Sequence, residues 1–181
     1  MIFSLNTLNN INTMLTNTHS KQKYSKEEVI KIIQKYIPNY DGTNNTIRHI
    51  DGGKTPLMLW ILYRKGEDIP NCLLHDMTIK GEYGKTPLMF WIINRKGESI
   101  PDCLLHDPTI KDNYGCTPLM YWIVHRQEEV IPKYLLHDNT IKDNDGNTPL
   151  MYWIYNRRGE EIPEYLLHDP TIKGVDGKTP L

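Results

Sequence analysis

The sequence predicts an all-α solenoid in which helix–turn–helix units stack on one another. The first observation is a repeat of 31 residues, because the tetrad Thr-Pro-Leu-Met begins at Thr55, Thr86, Thr117 and Thr148. The second is that each copy carries a tryptophan, an arginine and a Leu-Leu pair in the same register. One such unit cannot bury its apolar side chains alone, whereas a stack of about three or more units forms a continuous core.

The chain begins with a polar segment and a capping half-repeat. Residues 1–23 are rich in Asn and Thr and keep some apolar residues at helical spacing, so they are either a loosely docked helix or a tail. In the half-repeat 24–52, Ser25 followed by Glu28 is a capping-box pattern that predicts the start of a helix. Its apolar residues are expected to cover the exposed face of the first full unit: Val29, Ile30, Ile32, Ile33 and Ile37.

Each full unit is expected to contain two short helices. In the first unit Thr55 suits an N-cap and Pro56 suits the first helical position, and Gly66 is expected to end the helix. Glu128 replaces that glycine in the third unit. A second helix of about two turns is predicted to start at Ile69-Pro70, again with proline early. Residues 76–83 then form an extended turn that returns the chain to the next glycine.

The unit resembles the ankyrin repeat. The clearest copy is LLHDPTIKDNYGCTPLM, Leu104 to Met120, and the resemblance covers roughly residues 53 to 181. It implies an ankyrin-type solenoid with short hairpin-like turns. The units depart from the family pattern because they have 31 residues, rather than the usual 33 or so, and because Trp60 and its copies stand where ankyrin units place a small alanine.

The repeat sets the predicted boundaries. The four full units are 53–83, 84–114, 115–145 and 146–176. Residues 177–181 begin a truncated fifth unit, so the natural polypeptide is expected to continue.

Composition limits the classes of partner. The 181 residues contain 21 basic and 22 acidic side chains, with a formal net charge of −1 and no basic stripe, which argues against a nucleic-acid partner. Cys72, Cys103 and Cys116 are too few for a disulfide framework and are expected to be reduced. With neither a signal peptide nor an apolar run of about 18–20 residues, the chain is expected to be cytoplasmic and monomeric, without a membrane partner.

A recurring His-Asp pair raises an enzymatic alternative, a metal-dependent hydrolase, because adjacent His and Asp ligate metal in HD phosphohydrolases. The pairs are His75-Asp76, His106-Asp107, His137-Asp138 and His168-Asp169. Their repetition in register favours a structural role at helix ends and turns. The pairs Cys72-x-x-His75 and Cys103-x-x-His106 could offer zinc ligands, but a whole repeat layer separates them. We therefore expect no catalytic residue, metal or cofactor.

Two other matched positions have a structural interpretation. The tryptophans share a helix face with Leu57 and Ile61 and are expected in the core between repeats, rather than as a binding stripe. Arg64 and its copies can pair with Glu67 and its copies, a modest contribution if the pairs are exposed. The alternative is that the matched arginines bind an acidic ligand.

Positions that differ between units indicate where a partner binds, since positions that are equal make the fold. In ankyrin-like stacks the corresponding first-helix and finger positions line the concave face, as the resemblance implies. Aromatic residues beside Asn and His suit protein recognition. The expected partner-binding residues are Leu59, Tyr63, Tyr83, Phe90, Asn94, Tyr114, Tyr121, His125, Tyr152 and Asn156.

The predicted function is a protein–protein interaction scaffold that binds an unidentified protein and catalyses no reaction. A further alternative is a segment that regulates or localises a domain lying beyond residue 181.

Overall fold

The computed structural model describes residues 23–50, 52–74, 77–105, 107–136, 139–157, 159–167 and 177. The predictions for the N-terminal segment before Lys23, for the His-Asp pairs except Asp107, and for a fifth repeat lie outside these residues. Within them the chain forms five α-helices and no β-strand, which confirms the all-α prediction. The helices are α1 (Lys26–Gln34), α2 (Pro56–Tyr63), α3 (Pro87–Asn94), α4 (Pro118–His125) and α5 (Pro149–Asn156).

The four helices α2–α5 start in the same way, one in each repeat. The Thr55 side chain accepts a hydrogen bond from the Met58 N–H at 3.4 Å, and Pro56 follows at the first helical position. The helix ends one residue before Arg64, whose φ of −113° and ψ of 51° are not helical. The prediction that Gly66 ends the helix is therefore wrong. Gly66 instead serves a tight turn closed by the Glu67 N–H donating to the Arg64 carbonyl at 3.2 Å.

The predicted second helix is replaced by a single 3₁₀ turn in each unit. The four turns are Asn71–Leu73, Asp102–Leu104, Lys133–Leu135 and Glu164–Leu166. A proline precedes every turn, and the residue after the first one, Leu74, is already extended. Only the first leucine of each pair is buried, so no apolar face would hold another helical turn against its neighbours.

Short turns connect each unit to the next and pack in a row. In the first of them the Gly81 N–H donates to the Lys85 carbonyl at 2.8 Å, and Tyr83 and Gly84 form the tip. The following turn docks on this one through the Asn113 N–H, which donates to the Tyr83 carbonyl at 3.0 Å. Gly84 has a φ of +75°, and a Cβ there would lie 2.8 Å from the Asn113 nitrogen. Glycine is thus required both by the backbone conformation and by the close approach.

The apolar side chains of all four repeats and of α1 form one cluster. Trp60, Trp91, Trp122 and Trp153 are between 0% and 5% exposed, which confirms their predicted place in the core. The Trp60 indole N–H donates to the Asp68 carbonyl at 3.1 Å, so the ring lies under the loop that precedes the 3₁₀ turn.

Buried arginines at the matched position link successive repeats through hydrogen bonds. Arg126 is 0% exposed, and its Nε donates to the carbonyl of Ile92, in the preceding helix, at 2.8 Å. It also pairs with Glu129 at 2.8 Å and lies 4.8 Å from the centre of the Trp122 ring. The predicted Arg–Glu pairs exist in all four repeats, but three of the four arginines are buried. The alternative that these arginines bind an acidic ligand is wrong for those three, because their donors face the neighbouring repeat.

The N-terminal half-repeat covers the first full unit, as predicted. Ser25 and Glu28 form the expected capping box at the start of α1. Val29 and Ile33 of α1 are buried in the common cluster. Ahead of the helix, the Tyr24 ring packs edge-on against Trp60 at 5.5 Å, and its hydroxyl contacts both Arg64 and Glu67.

Candidate functional site

The structure divides the predicted partner-binding residues into three groups. Tyr63, Tyr83 and Tyr114 are 51%, 54% and 55% exposed, and His125 is also exposed. A second group is half-buried: Asn94, Tyr121, Tyr152 and Asn156. Leu59 and Phe90 form the third group, because they are only 2% and 5% exposed and belong to the core. The prediction that these two residues line a binding surface is wrong, since an apolar side chain at that helix position turns inward.

Tyr121 and Tyr152 occupy the same helix position but are held at the surface by buried carboxylates. The Tyr121 hydroxyl donates to Asp112 at 2.6 Å, and the Tyr152 hydroxyl donates to Asp143 at 2.8 Å. Partial burial raises the pKa of both phenols above its ordinary value. Hydrogen bonding adds to this effect, with Asp112 for Tyr121 and with Cys116 and Asp143 for Tyr152. The hydroxyls therefore stay protonated and fix the rings in place.

Asp112 also organises the turn from which it projects. Its Oδ1 accepts the backbone N–H groups of Tyr114 and Cys116, both at 2.9 Å, while its Oδ2 accepts the Tyr121 hydroxyl. Asp143 repeats the arrangement one unit later. One carboxylate thus ties the turn to the helix that follows it, and so positions the side chains at the turn tip.

The sequence contains a signal for this link that was not among the predictions. Two units have Asp in the turn and Tyr nine residues later, whereas the preceding unit has Gly81 and Phe90 at the same positions. Without the carboxylate, the turn tip changes as well, because Tyr83 adopts a left-handed φ of 54°. Such a conformation costs a non-glycine residue about 1–2 kcal/mol.

Three tyrosine side chains gather around one cation, Lys85, and we call the four residues the Lys85 cluster: Lys85, Tyr83, Tyr114 and Tyr121. The Lys85 ammonium lies 4.7 Å from the centre of the Tyr83 ring, 5.9 Å from that of Tyr114 and 5.6 Å from that of Tyr121. All three distances are within the range of cation–π attraction. The rings of Tyr83 and Tyr114, from successive turns, lie 6.1 Å apart. Lys85 is not among the residues that the sequence predicted for partner binding.

A small cleft adjoins the Lys85 cluster, and Tyr121 belongs to both. The cleft has a volume of about 190 Å³ and is lined by Cys116, Met120, Tyr121, Val124, His125 and Tyr152. The Cys116 sulfur lies 3.3 Å from the Tyr152 hydroxyl, and burial raises the pKa of this thiol. Although His125 is an exposed residue, partial desolvation of its imidazole, with Lys85 and Arg126 nearby, lowers its pKa. Around neutral pH the cleft is therefore lined by uncharged groups.

The remaining predicted residues lie away from this cluster or turn back on their own helix. Asn94 donates its side-chain amide to the Phe90 carbonyl at 2.8 Å, and Asn156 donates in the same way to Tyr152. Tyr63 stacks face to face on Tyr36 with ring centres 4.4 Å apart. The structure thus brings Tyr83, Tyr114, Tyr121, His125 and Tyr152 together and leaves Tyr63 as a separate exposed patch.

The hydrolase alternative gains no support from the described part of the chain. Asp107 belongs to a His-Asp pair, and its Oδ1 accepts hydrogen bonds from the backbone and the hydroxyl of Thr109, at 2.9 and 2.6 Å. This is the turn-forming role expected for the aspartate. No three His, Cys, Asp or Glu side chains among the described residues are grouped so as to hold a metal ion. None of the described helices is long and apolar enough to cross a membrane.

The stacked units define a helical-repeat protein, and comparison with known proteins identifies its family. A family model for ankyrin repeats matches residues 90–179 in three copies, so this part of the chain belongs to the ankyrin repeat family. The crystal structure of EF0377, an ankyrin repeat protein, matches with a TM-score of 0.53 over 99% of this chain and 90% of that chain. At 18% sequence identity, this likeness shows the fold alone. A search of curated proteins found no match.

Proposed function

We propose that this chain is a protein-binding module, and that its partner docks on the turn tips and the adjoining helix surface of α4 and α5. Ankyrin repeats are in general protein–protein interaction modules, and the fold is typically a non-enzymatic scaffold. Binding without catalysis is accordingly the role we assign to this chain. The cytoplasmic location and monomeric state expected from the sequence are part of the same proposal.

The observation that carries the proposal is the exposure of aromatic side chains on a rigid support. Tyr83 and Tyr114 are each more than half exposed, although the backbone beneath them is fixed by hydrogen bonds between successive turns. Tyrosines of this kind offer a large contact area at a small entropic cost on binding. The neighbouring cleft offers an apolar recess where one partner side chain can be desolvated.

The test begins with affinity capture by the full chain and identification of the captured protein. Binding of that purified protein is then compared between the wild type and a double variant, Tyr83→Asn with Tyr114→Ala. Asparagine is chosen at position 83 because it tolerates a left-handed φ better than other residues do. We expect the affinity to fall at least about tenfold, because truncated aromatic anchors commonly cost more than ~1–2 kcal/mol.

The matched control is Val130→Ala. Val130 is 91% exposed but lies in the loop after α4 and lines clefts other than the one beside Tyr121. Its replacement should leave the affinity unchanged. Undiminished binding by the double variant, or an equal loss in the control, would show that the partner docks elsewhere.

A further inference from the structure

The charge of Lys85 has no counter-ion among the residues that the structure describes. Lys85 is a half-buried residue, and three tyrosine rings, none of which carries a formal charge, lie around its ammonium. The nearby Asp112 accepts three hydrogen bonds from other groups and forms no ion pair with it. A cation in this setting attracts an anion more strongly than a fully hydrated surface lysine does.

In the preceding unit, the lysine at this position has a counter-ion within the chain. Lys54 lies 31 residues before Lys85 and forms an ion pair with Glu82, which belongs to the next turn. The residue that corresponds to Glu82 in the next unit is Asn113, which is neutral. The units therefore differ in one decisive respect, because the lysine is kept while its internal partner is replaced.

The surroundings of Lys85 suit a carboxylate that approaches from outside. Tyr83 and Tyr114, on either side of the ammonium, are exposed and no hydrogen bond is seen to their hydroxyls among the described residues, so both can donate to an incoming oxygen. Beyond Tyr121 lies the uncharged cleft, with Met120, Val124 and Tyr152 in its walls. An anionic group could thus bind at Lys85 while an adjacent apolar group binds in the cleft.

We infer that the partner presents an acidic peptide segment, with an Asp or Glu carboxylate on Lys85 and a neighbouring apolar side chain in the cleft. The inference rests on the proposed function and specifies the chemistry of the partner at that surface. Lys85 supplies the charge and the first orientation of the segment, and the cleft supplies the apolar contact.

The probe is a display library of random short peptides, selected on the full chain and then remade as synthetic peptides. We expect the selected sequences to be enriched in Asp or Glu next to an aliphatic or aromatic residue. Lys85→Met should weaken their binding about tenfold, which corresponds to ~1.4 kcal/mol. Lys54→Met is the matched control and should leave binding unchanged, because that lysine is already paired with Glu82.

A charge reversal keeps the inference testable if the methionine variant is only weakly affected. Lys85→Glu should abolish binding of the acidic peptides while circular dichroism shows an unchanged helix content. Peptides that lack acidic residues, or that bind Lys85→Met and Lys85→Glu as tightly as the wild type, would overturn the inference. If those same peptides lose affinity in the double variant Tyr83→Asn with Tyr114→Ala, the proposed binding surface still stands. If no peptide is selected, or if the double variant binds them undiminished, the proposed function is contradicted as well.

Discussion

At the scale of single residues, the buried arginines connect one repeat to the next. The last carbonyl groups of a helix have no partner within that helix, and a positive charge near them is favourable. Arg95 donates to Ile61 at 2.7 Å and to Arg64 at 2.6 Å, so it serves the end of the helix in the preceding unit. Arg126 and Arg157 repeat this arrangement. The side chain of each buried arginine thereby binds carbonyl groups at the helix end of the preceding repeat, and not those of its own helix.

This role could be predicted only in part. The helical spacing placed Arg64 and its copies on the face of the tryptophans, and the spacing to Glu67 indicated the ion pair. The acceptor carbonyls belong to another unit, however, and a sequence pattern within one unit does not show them. The burial of the charge consequently escaped prediction.

We predict that Arg126→Met destabilises the chain far more than Arg64→Met. The first change removes the Arg126 donor from the Ile92 carbonyl, one of the two donors to the Trp91 carbonyl, and the cation that pairs with Glu129, at a cost of about 3 kcal/mol or more. Arg64 has no preceding α-helix of the repeat type. Its side-chain hydrogen bonds within the described residues go to Tyr24 and Glu67, and its guanidinium lies over the Trp60 ring at the edge of the core, so its loss should cost about 1 kcal/mol. Urea unfolding followed by circular dichroism measures both, and equal losses would contradict the proposed role.

At the scale of elements, the turn that follows each repeat helix depends on one glycine. Gly66, Gly97 and Gly159 have φ values of +74°, +82° and +85°, and the N–H groups of the first two donate to a glutamate of the next unit. Glu128 replaces this glycine in the third unit and is not left-handed. There the preceding carbonyl, that of Gln127, accepts a hydrogen bond from Arg157 at 2.6 Å. Both the φ of Glu128 and the orientation of the Gln127 carbonyl are explained if the peptide between these two residues is flipped relative to the glycine-containing turns. Type I and type II turns differ in the same way.

We predict that Gly97→Ala lowers stability by about 1–2 kcal/mol because a left-handed φ is costly for alanine. Steric overlap is not the cause, since a Cβ at position 97 would meet no atom within 4 Å. Glu128→Ala is the matched control and should change stability by less than about 0.5 kcal/mol. The free energy of unfolding in urea distinguishes the two, and an unchanged value for Gly97→Ala would show that the turn relaxes to the other form.

The second helical segment of each unit shows what a sequence pattern does not determine at this scale, namely the length of the element. Proline before the Leu-Leu pair indicated a helix start, and a helix start was found. The pattern did not determine the length, because a leucine pair is compatible with either one buried side chain or two. The structure buries one, so a single turn suffices.

At the scale of the whole molecule, the half-repeat and the four units share one hydrophobic core. The repeat period, the helix starts and the cover provided by α1 were all predictable, because each follows from a pattern that local physics fixes. The candidate site was less so. Its exposed tyrosines were identified, but Leu59 and Phe90 were misplaced and Lys85 was overlooked, since burial and ring geometry arise only when units are set side by side.

We predict that Ile33→Ala destabilises the entire array and not only its first helix. Ile33 is 1% exposed and joins the common cluster, so its truncation should cost about 2–5 kcal/mol. Ile30, on the same helix and only partly buried, provides the control, for which a smaller loss is expected. Unfolding monitored by tryptophan fluorescence and by circular dichroism should give coincident transitions for the variant. Separate transitions would mean that the half-repeat unfolds independently.

In the part of the chain that the structure describes, the hydrogen bonds between repeats link only immediate neighbours. Arg126 reaches back one repeat, and the Asn113 N–H meets only the turn before it. A duplicated block of 31 codons would consequently encode a repeat that has both the donors for the repeat before it and the acceptors for the repeat after it. Lineages could lengthen or shorten the array by recombination without redesigning it, while the turn-tip residues of each copy diverged independently.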